Sequence, residues 1–212
     1  MSSTRVILYG GILAALLTGS AGCNWIIPLA VLGQPPTQKV AAEFDKLAGT
    51  KALILVWAEE DTRFDYPNVR LEVGAYVAHH LEAHVEGVHF IPPRQVEDYV
   101  ESHAGASHDP VAVGRHFGVD RVIHVVLLEF TMRDREMAQF HRGRVRASVA
   151  AYDLRDPSGT PQRYALADVF VVYPENRPIG FDANAPTVVR QKTYEAFADA
   201  VGRKFYAYEK EI

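Results

Sequence analysis

The run His79-His80-Leu-Glu-Ala-His84 puts three imidazoles within one short stretch. On a helix, His80 and His84 lie one turn apart, the spacing at which two rings can reach one metal ion. The zinc-protease pattern also needs a glutamate directly after its first histidine, and Glu82 falls on another face. His80 and His84 are therefore candidate metal ligands without a hydrolytic partner; the other reading is a histidine face packed on Val77 and Leu81 or left in water. His89, His116 and His124 are further imidazoles that the fold could bring near. A second group, Glu59, Glu60, Asp61 and Asp65, follows an apolar run, and paired carboxylates there could hold a cation or act as acid and base. The bland alternative is a solvated acidic loop. The third group is Arg142, Arg144 and Arg146, at alternate positions and hence on one face of a strand. Like charges so placed repel unless something neutralises them. That predicts an acidic protein partner, lipid headgroups, or carboxylates on a covering helix.

Other chemistry is not signalled. No glycine-rich phosphate loop follows the first strand and no serine sits in a nucleophile elbow. No cofactor is expected, and the reading favoured is a non-catalytic one. The net charge of −4 and pI of 6.1 give no global electrostatic case for nucleic acid. With 48% hydrophobic and 23% charged residues, the 212-residue chain has globular composition. Its one cysteine, Cys23, excludes an intrachain disulfide and a cysteine-based zinc cage.

The elements that must position these groups turn on Asp120–Phe130. Val122–Phe130 is apolar at both odd and even positions, as a strand buried on both faces must be. Helices are therefore required above and below it. Lys51–Ala58 reads as a short interior strand and Val88–Ile91 as a second short strand. Phe140–Leu154 alternates, with Val145, Ala147, Val149 and Ala151 on one side and the arginines with Ser148 on the other. Asp156-Pro-Ser-Gly159 signals a turn into a last strand, Arg163–Tyr173. Helices are predicted over Thr37–Leu47, from Pro67 to about Val85, over Arg94–His103, over Pro110–Phe117 with Asp109 as cap, and from Pro186 to Glu209. Right-handed crossovers then give an α/β, three-layer α/β/α fold. Its mixed sheet has five strands in the order 2-1-3-4-5, the last three an antiparallel meander. The acidic group would lie beyond the carboxyl end of the first strand, at the switch point where open sheets collect ligands.

The amino terminus speaks to location. After Arg5 comes the apolar run Val6–Leu17, then Thr18-Gly-Ser-Ala-Gly22 and Cys23, the layout of an export signal with small residues before the cut. Ser20-Ala21-Gly22-Cys23 resembles a bacterial lipobox. That resemblance implies diacylglycerol on Cys23, cleavage before it and acylation of the new amino group. An uncut anchor over Val6–Leu32 is the alternative, because the stretch is long enough to cross a bilayer. Both place the rest of the chain outside the cytoplasm. By resemblance to the enterobacterial sorting rule, Asn24 after the cysteine implies the outer membrane, facing the periplasm. The expected divisions are a signal peptide at 1–22, a membrane-proximal linker at 23–38 containing Trp25 and Pro35-Pro36, and one mixed α/β domain at 39–212.

Ala52-Leu-Ile-Leu-Val56, Val113-Gly-Arg-His-Phe-Gly-Val-Asp-Arg-Val-Ile123, and Ala150-Ala-Tyr-Asp153 with Ser158-Gly159 follow a recurring order. Over about residues 51–208 the chain resembles the mixed α/β domain of the TolB amino-terminal region, the penicillin-binding-protein activator lipoproteins and the curli-secretion lipoproteins. The resemblance implies an envelope adaptor or assembly protein with a protein partner and no catalytic residues. The expectation is a lipid-anchored interaction module; the alternative is an envelope metal- or small-ligand-binding domain using the His79–His84 helix and the acidic loop 59–65. Oligomeric state is left open.

Overall fold

The computed structural model describes residues 37–137, 139–155, 159–180, 182 and 184–211. Cys23, the signal and most of the linker lie outside them, as do residues 156–158 of the predicted turn. In chain order the elements are β1 (Thr37–Val40), β2 (Lys51–Trp57), α1 (Glu60–Asp65), α2 (Val69–His84), β3 (His89–Phe90), α3 (Pro93–Ser102) and a 3-10 turn (Ala106–His108). There follow α4 (Pro110–Phe117), β4 (Arg121–Arg133), β5 (His141–Asp153), β6 (Gln162–Ala165), β7 (Val169–Tyr173), α5 (Ala185–Gly202) and β8 (Tyr208–Glu211). The described residues divide into two units, 37–39 with 209–211, and 40–208. β1 and β8 form a small sheet of their own.

In the larger unit, β4 pairs parallel with β2 and antiparallel with β5, and β3 lies parallel on the outer side of β2. The order is β3-β2-β4-β5-β6, with β7 also on β5. This is the 2-1-3-4-5 sheet, with the predicted central strand in the middle. Its last strand is split: β6 pairs with Ala150–Asp153 and β7 with Gly143–Ala147; between them the Leu166 N–H still donates to the Val149 carbonyl, and the Ala167 N–H turns to the Glu43 carboxylate. Nothing in the apolar pattern of 163–173 marks that break.

Burial on both faces of β4 explains its composition. On one face, Ile123, Val125 and Leu127 pack with Ile54, Val145 and Val149 under Val73, Val77 and Leu81 of α2 and Val189, Phe197 and Val201 of α5. On the other, Val122 joins Leu53 and Leu55 beneath Val96 and Val100 of α3 and Val113 of α4. These are the two helical layers that a two-faced apolar strand demands. Among the described residues, no helix is long and apolar enough to cross a membrane.

Three segments differ from the sequence expectation. Thr37–Leu47 is not a helix: its first four residues form β1, and Phe44 and Leu47 are buried through a turned segment. Phe44 sits edge-on to Tyr164 and Phe205 at 5.1 and 6.0 Å, and the Thr50 hydroxyl donates to the Leu47 carbonyl at 2.7 Å. A helix that short gains little by itself, so tertiary pairing decides. The last helix ends at Gly202 rather than Glu209, and the chain turns through Lys204 and Phe205 into β8. The acidic loop forms a short helix, α1.

Candidate functional site

The carboxyl end of β2 opens on a crevice of about 380 Å³ walled by Trp57, Arg63, Arg70, Ser107 and His108. It lies at the switch point, since the chain leaves β2 for β3 on one side and returns as β4 on the other. The Trp57 indole N–H donates to His108 Nε2 at 3.0 Å, with ring centroids 5.4 Å apart. His108 is thereby held as an acceptor at that nitrogen. Behind it, His124 Nε2 donates to the Ser107 carbonyl at 3.2 Å, and burial lowers the pKa of His124 below its ordinary 6.5. Arg70 places Nε and Nη2 on one oxygen of Glu97, at 3.0 and 2.5 Å, with both side chains 10% exposed. Burial pushes the Glu97 carboxyl up, and Arg70 pulls it the other way. Arg63, from α1, has no ion-pair partner among the described residues. The acidic group does follow β2, but Glu59, Glu60, Asp61 and Asp65 are exposed, and the charged groups lining the cavity are Arg63, Arg70 and Glu101.

The histidine helix packs rather than converges. His80 and His84 stack with centroids 4.2 Å apart and planes 17° from parallel, and Tyr206 continues the stack 5.0 Å from His84. His80 Nε2 lies 2.8 Å from the Tyr206 hydroxyl, and His84 Nδ1 donates to the His80 carbonyl at 2.8 Å. Desolvation, with His84 beside it, lowers the pKa of His80. Rings stacked face to face direct their in-plane lone pairs along parallel planes, not at one point. Among the described residues no group of three or more metal-ligating side chains occurs. His79 and His89 are exposed, while His103 and His116 both stack on Tyr99, at 4.1 and 4.0 Å.

The arginine face is as the alternation predicts: Val145, Ala147, Val149 and Ala151 are buried, and the arginines lie opposite. Their neutralisation does not come from a helix. Arg142 Nε donates to the Pro174 carbonyl at 3.1 Å, its Nη2 to the Glu175 carbonyl, and its Nη1 lies 3.9 Å from Asp134. Arg146 lies over the Phe170 ring, 5.3 Å from its centroid. Arg144 Nε is buried with no hydrogen-bond partner, the one such side-chain atom among the described residues. Beside it is a cavity of about 290 Å³ bounded by Asp134, Arg135, Arg142, Arg144 and Pro178. Leu128, the extra residue where the β4–β5 register shifts, and Phe170 are each 53% exposed.

One charged group escaped the sequence reading. Arg121, at the start of β4, is buried and paired with Asp153 at the end of β5, and its Nε donates to the Lys46 carbonyl at 3.1 Å. Antiparallel register places the two opposite each other; their opposite charge was the only signal.

No protein-family model matches the chain, and no curated protein sequence matches it. Solved structures do. A PelC dodecamer from Paraburkholderia phytofirmans aligns over 80% of this chain and 98% of that one, at 10% identity and a TM-score of 0.42. Lipoprotein GNA1162 from Neisseria meningitidis aligns over 70% of this chain and 98% of its own, at 16% identity and a TM-score of 0.41. The hypothetical protein CT253 from Chlamydia trachomatis aligns over 74% and 97%, at 10% identity and a TM-score of 0.41.

Proposed function

We propose that this chain is a lipid-anchored envelope protein, held through Cys23 at the outer membrane and facing the periplasm. Its α/β domain acts as a non-catalytic module for protein contact, in the manner of the TolB-like and lipoprotein domains whose element order and short motifs it resembles. The apolar run, the small residues before Cys23 and the linker after it support the anchor. An anchor confines the domain near a membrane and raises its effective concentration towards partners there.

The observation that carries the contact reading is Arg144. A buried guanidinium N–H without an acceptor costs about 1–3 kcal/mol, and more for a charged group. It is a group whose missing partner calls for an explanation. A carboxylate from a second protein, entering beside Arg142 and Arg144, would draw the Arg144 side chain outwards and supply that nitrogen with a charge-assisted bond. Exposed Leu128 and Phe170 would add apolar contact on the same side. Crosslinking in intact membranes tests this. The wild type gives a defined protein adduct, and Arg144→Glu with Arg146→Glu, both on the arginine face, removes it while the thermal melt stays cooperative. An adduct pattern unchanged by the double substitution contradicts the reading.

A second reading, ligand binding in the same envelope setting, is favoured by the switch-point crevice rather than by the stacked His80 and His84.

A further inference from the structure

We infer that the switch-point crevice binds a small organic anion: a carboxylate or phosphate group attached to a flat, apolar body. This goes beyond the contact reading and does not depend on it, since the arginine face is not part of this cavity. Three features built from different elements meet here. The first is charge. Arg63 of α1 reaches the cavity with no ion-pair partner among the described residues, and Arg70 of α2 spends two of its nitrogens on a single oxygen of Glu97. Glu101 also borders the space, so the site is not uniformly positive. It can take one anionic group near the two arginines, where planar guanidinium forks match carboxylate and phosphate oxygens.

The second feature is aromatic. Trp57 and His108 are fixed to each other by the indole N–H bond with their planes 53° apart, so each ring is a held surface that loses little entropy on contact, and the broad Trp57 indole is the one on which a flat body can lie. The third is rigidity beneath the site. Trp57 ends a strand whose preceding residues are buried, and the Arg70–Glu97 pair is itself 10% exposed. A volume of about 380 Å³ falls at the small end of the range for ligand cavities, which suits a compact single-ring molecule. The location is the one at which open α/β sheets bind ligands, outside the carboxyl ends of parallel strands.

The test uses the full chain with Trp25→Phe, which leaves Trp57 as the sole indole reporter. Phenyl phosphate, inorganic phosphate and benzylamine are titrated separately while Trp57 emission is read. Phenyl phosphate is expected to give a saturable change, inorganic phosphate a weaker one, and benzylamine none. Arg63→Glu sits on an exposed, one-and-a-half-turn helix and leaves the core untouched; it should weaken phenyl phosphate at least about tenfold. A paired Arg70→Gln, Glu97→Gln variant keeps the buried pair neutral and should weaken it likewise. No saturable response to phenyl phosphate at millimolar concentration overturns the site. So does equal binding of benzylamine, or an Arg63→Glu affinity equal to wild type. Inorganic phosphate binding as tightly as phenyl phosphate removes the flat body from the ligand class and overturns the assignment as stated.

Discussion

Arg121 and Asp153 set the residue scale, because a buried charge is tolerable only while its partner stays. The Arg121 side chain is 3% exposed and that of Asp153 16%. Asp153→Ala is expected to destabilise the fold by about 3 kcal/mol, since breaking a buried pair leaves the other charge uncompensated. The carbonyls of Lys46 and Asp120 remain on Arg121 and limit the loss. A denaturant midpoint that falls with an unchanged slope would show this; an unchanged midpoint would contradict it. His124 gives a pH signature. Its folded pKa lies below 6.5, so the unfolded chain binds more protons under that value. The stability it contributes is complete above about pH 6.5 and is lost as pH falls through the window towards the folded value. Glu97 runs the opposite way: its raised pKa gives stability complete below 4.5 and declining as pH rises through its folded value. His124→Asn therefore isolates the effect. The wild type should lose more melting temperature than the variant between about pH 7 and pH 5; parallel curves would contradict the assignment.

At the scale of elements, the clearest local rules were the most legible. Asp109 followed by Pro110 predicts a cap, and the Ala112 N–H donates to Asp109 Oδ1 at 2.9 Å at the start of α4, which Gly118 closes in the left-handed region at φ 57°. Asp109→Ala should cost about 1 kcal/mol, read from thermal or chemical melts, because one amide at the helix start loses its acceptor. A loss indistinguishable from zero would mean that water replaces the carboxylate fully. The two-faced apolar pattern of β4 likewise predicts its place between β2 and β5, and with it the strand order. Elements fixed by distant partners were not legible. Thr37–Val40 becomes a strand through β8, far off in sequence, and 163–173 breaks where its two halves take different registers on β5. The candidate site follows the same division. Strand topology located the crevice, but side-chain direction decided that Arg63 and Arg70 line it while Glu59, Glu60 and Asp61 face water. Histidine spacing likewise admitted both a metal pair and a packed or solvated face, and the stack that forms is completed by Tyr206, from a segment read as helix.

For the whole molecule, the proposed lipid anchor at Cys23 would hold a domain with two candidate binding surfaces lined by different residues. One is the Arg142–Arg146 strand face, where the Arg144 Nε has no hydrogen-bond partner among the described residues, and the other the switch-point crevice beside Trp57. The proposed anchor would set where binding happens, by converting encounters in a volume into encounters near a surface. The most direct measurement is intact-mass and amino-terminal peptide mass spectrometry of the chain purified from membranes. The account predicts a mature protein that begins at Cys23 and carries a diacylglyceryl group and an amide-linked acyl chain on that residue. A chain that retains Met1, or one that begins elsewhere with no acyl mass on Cys23, would contradict it.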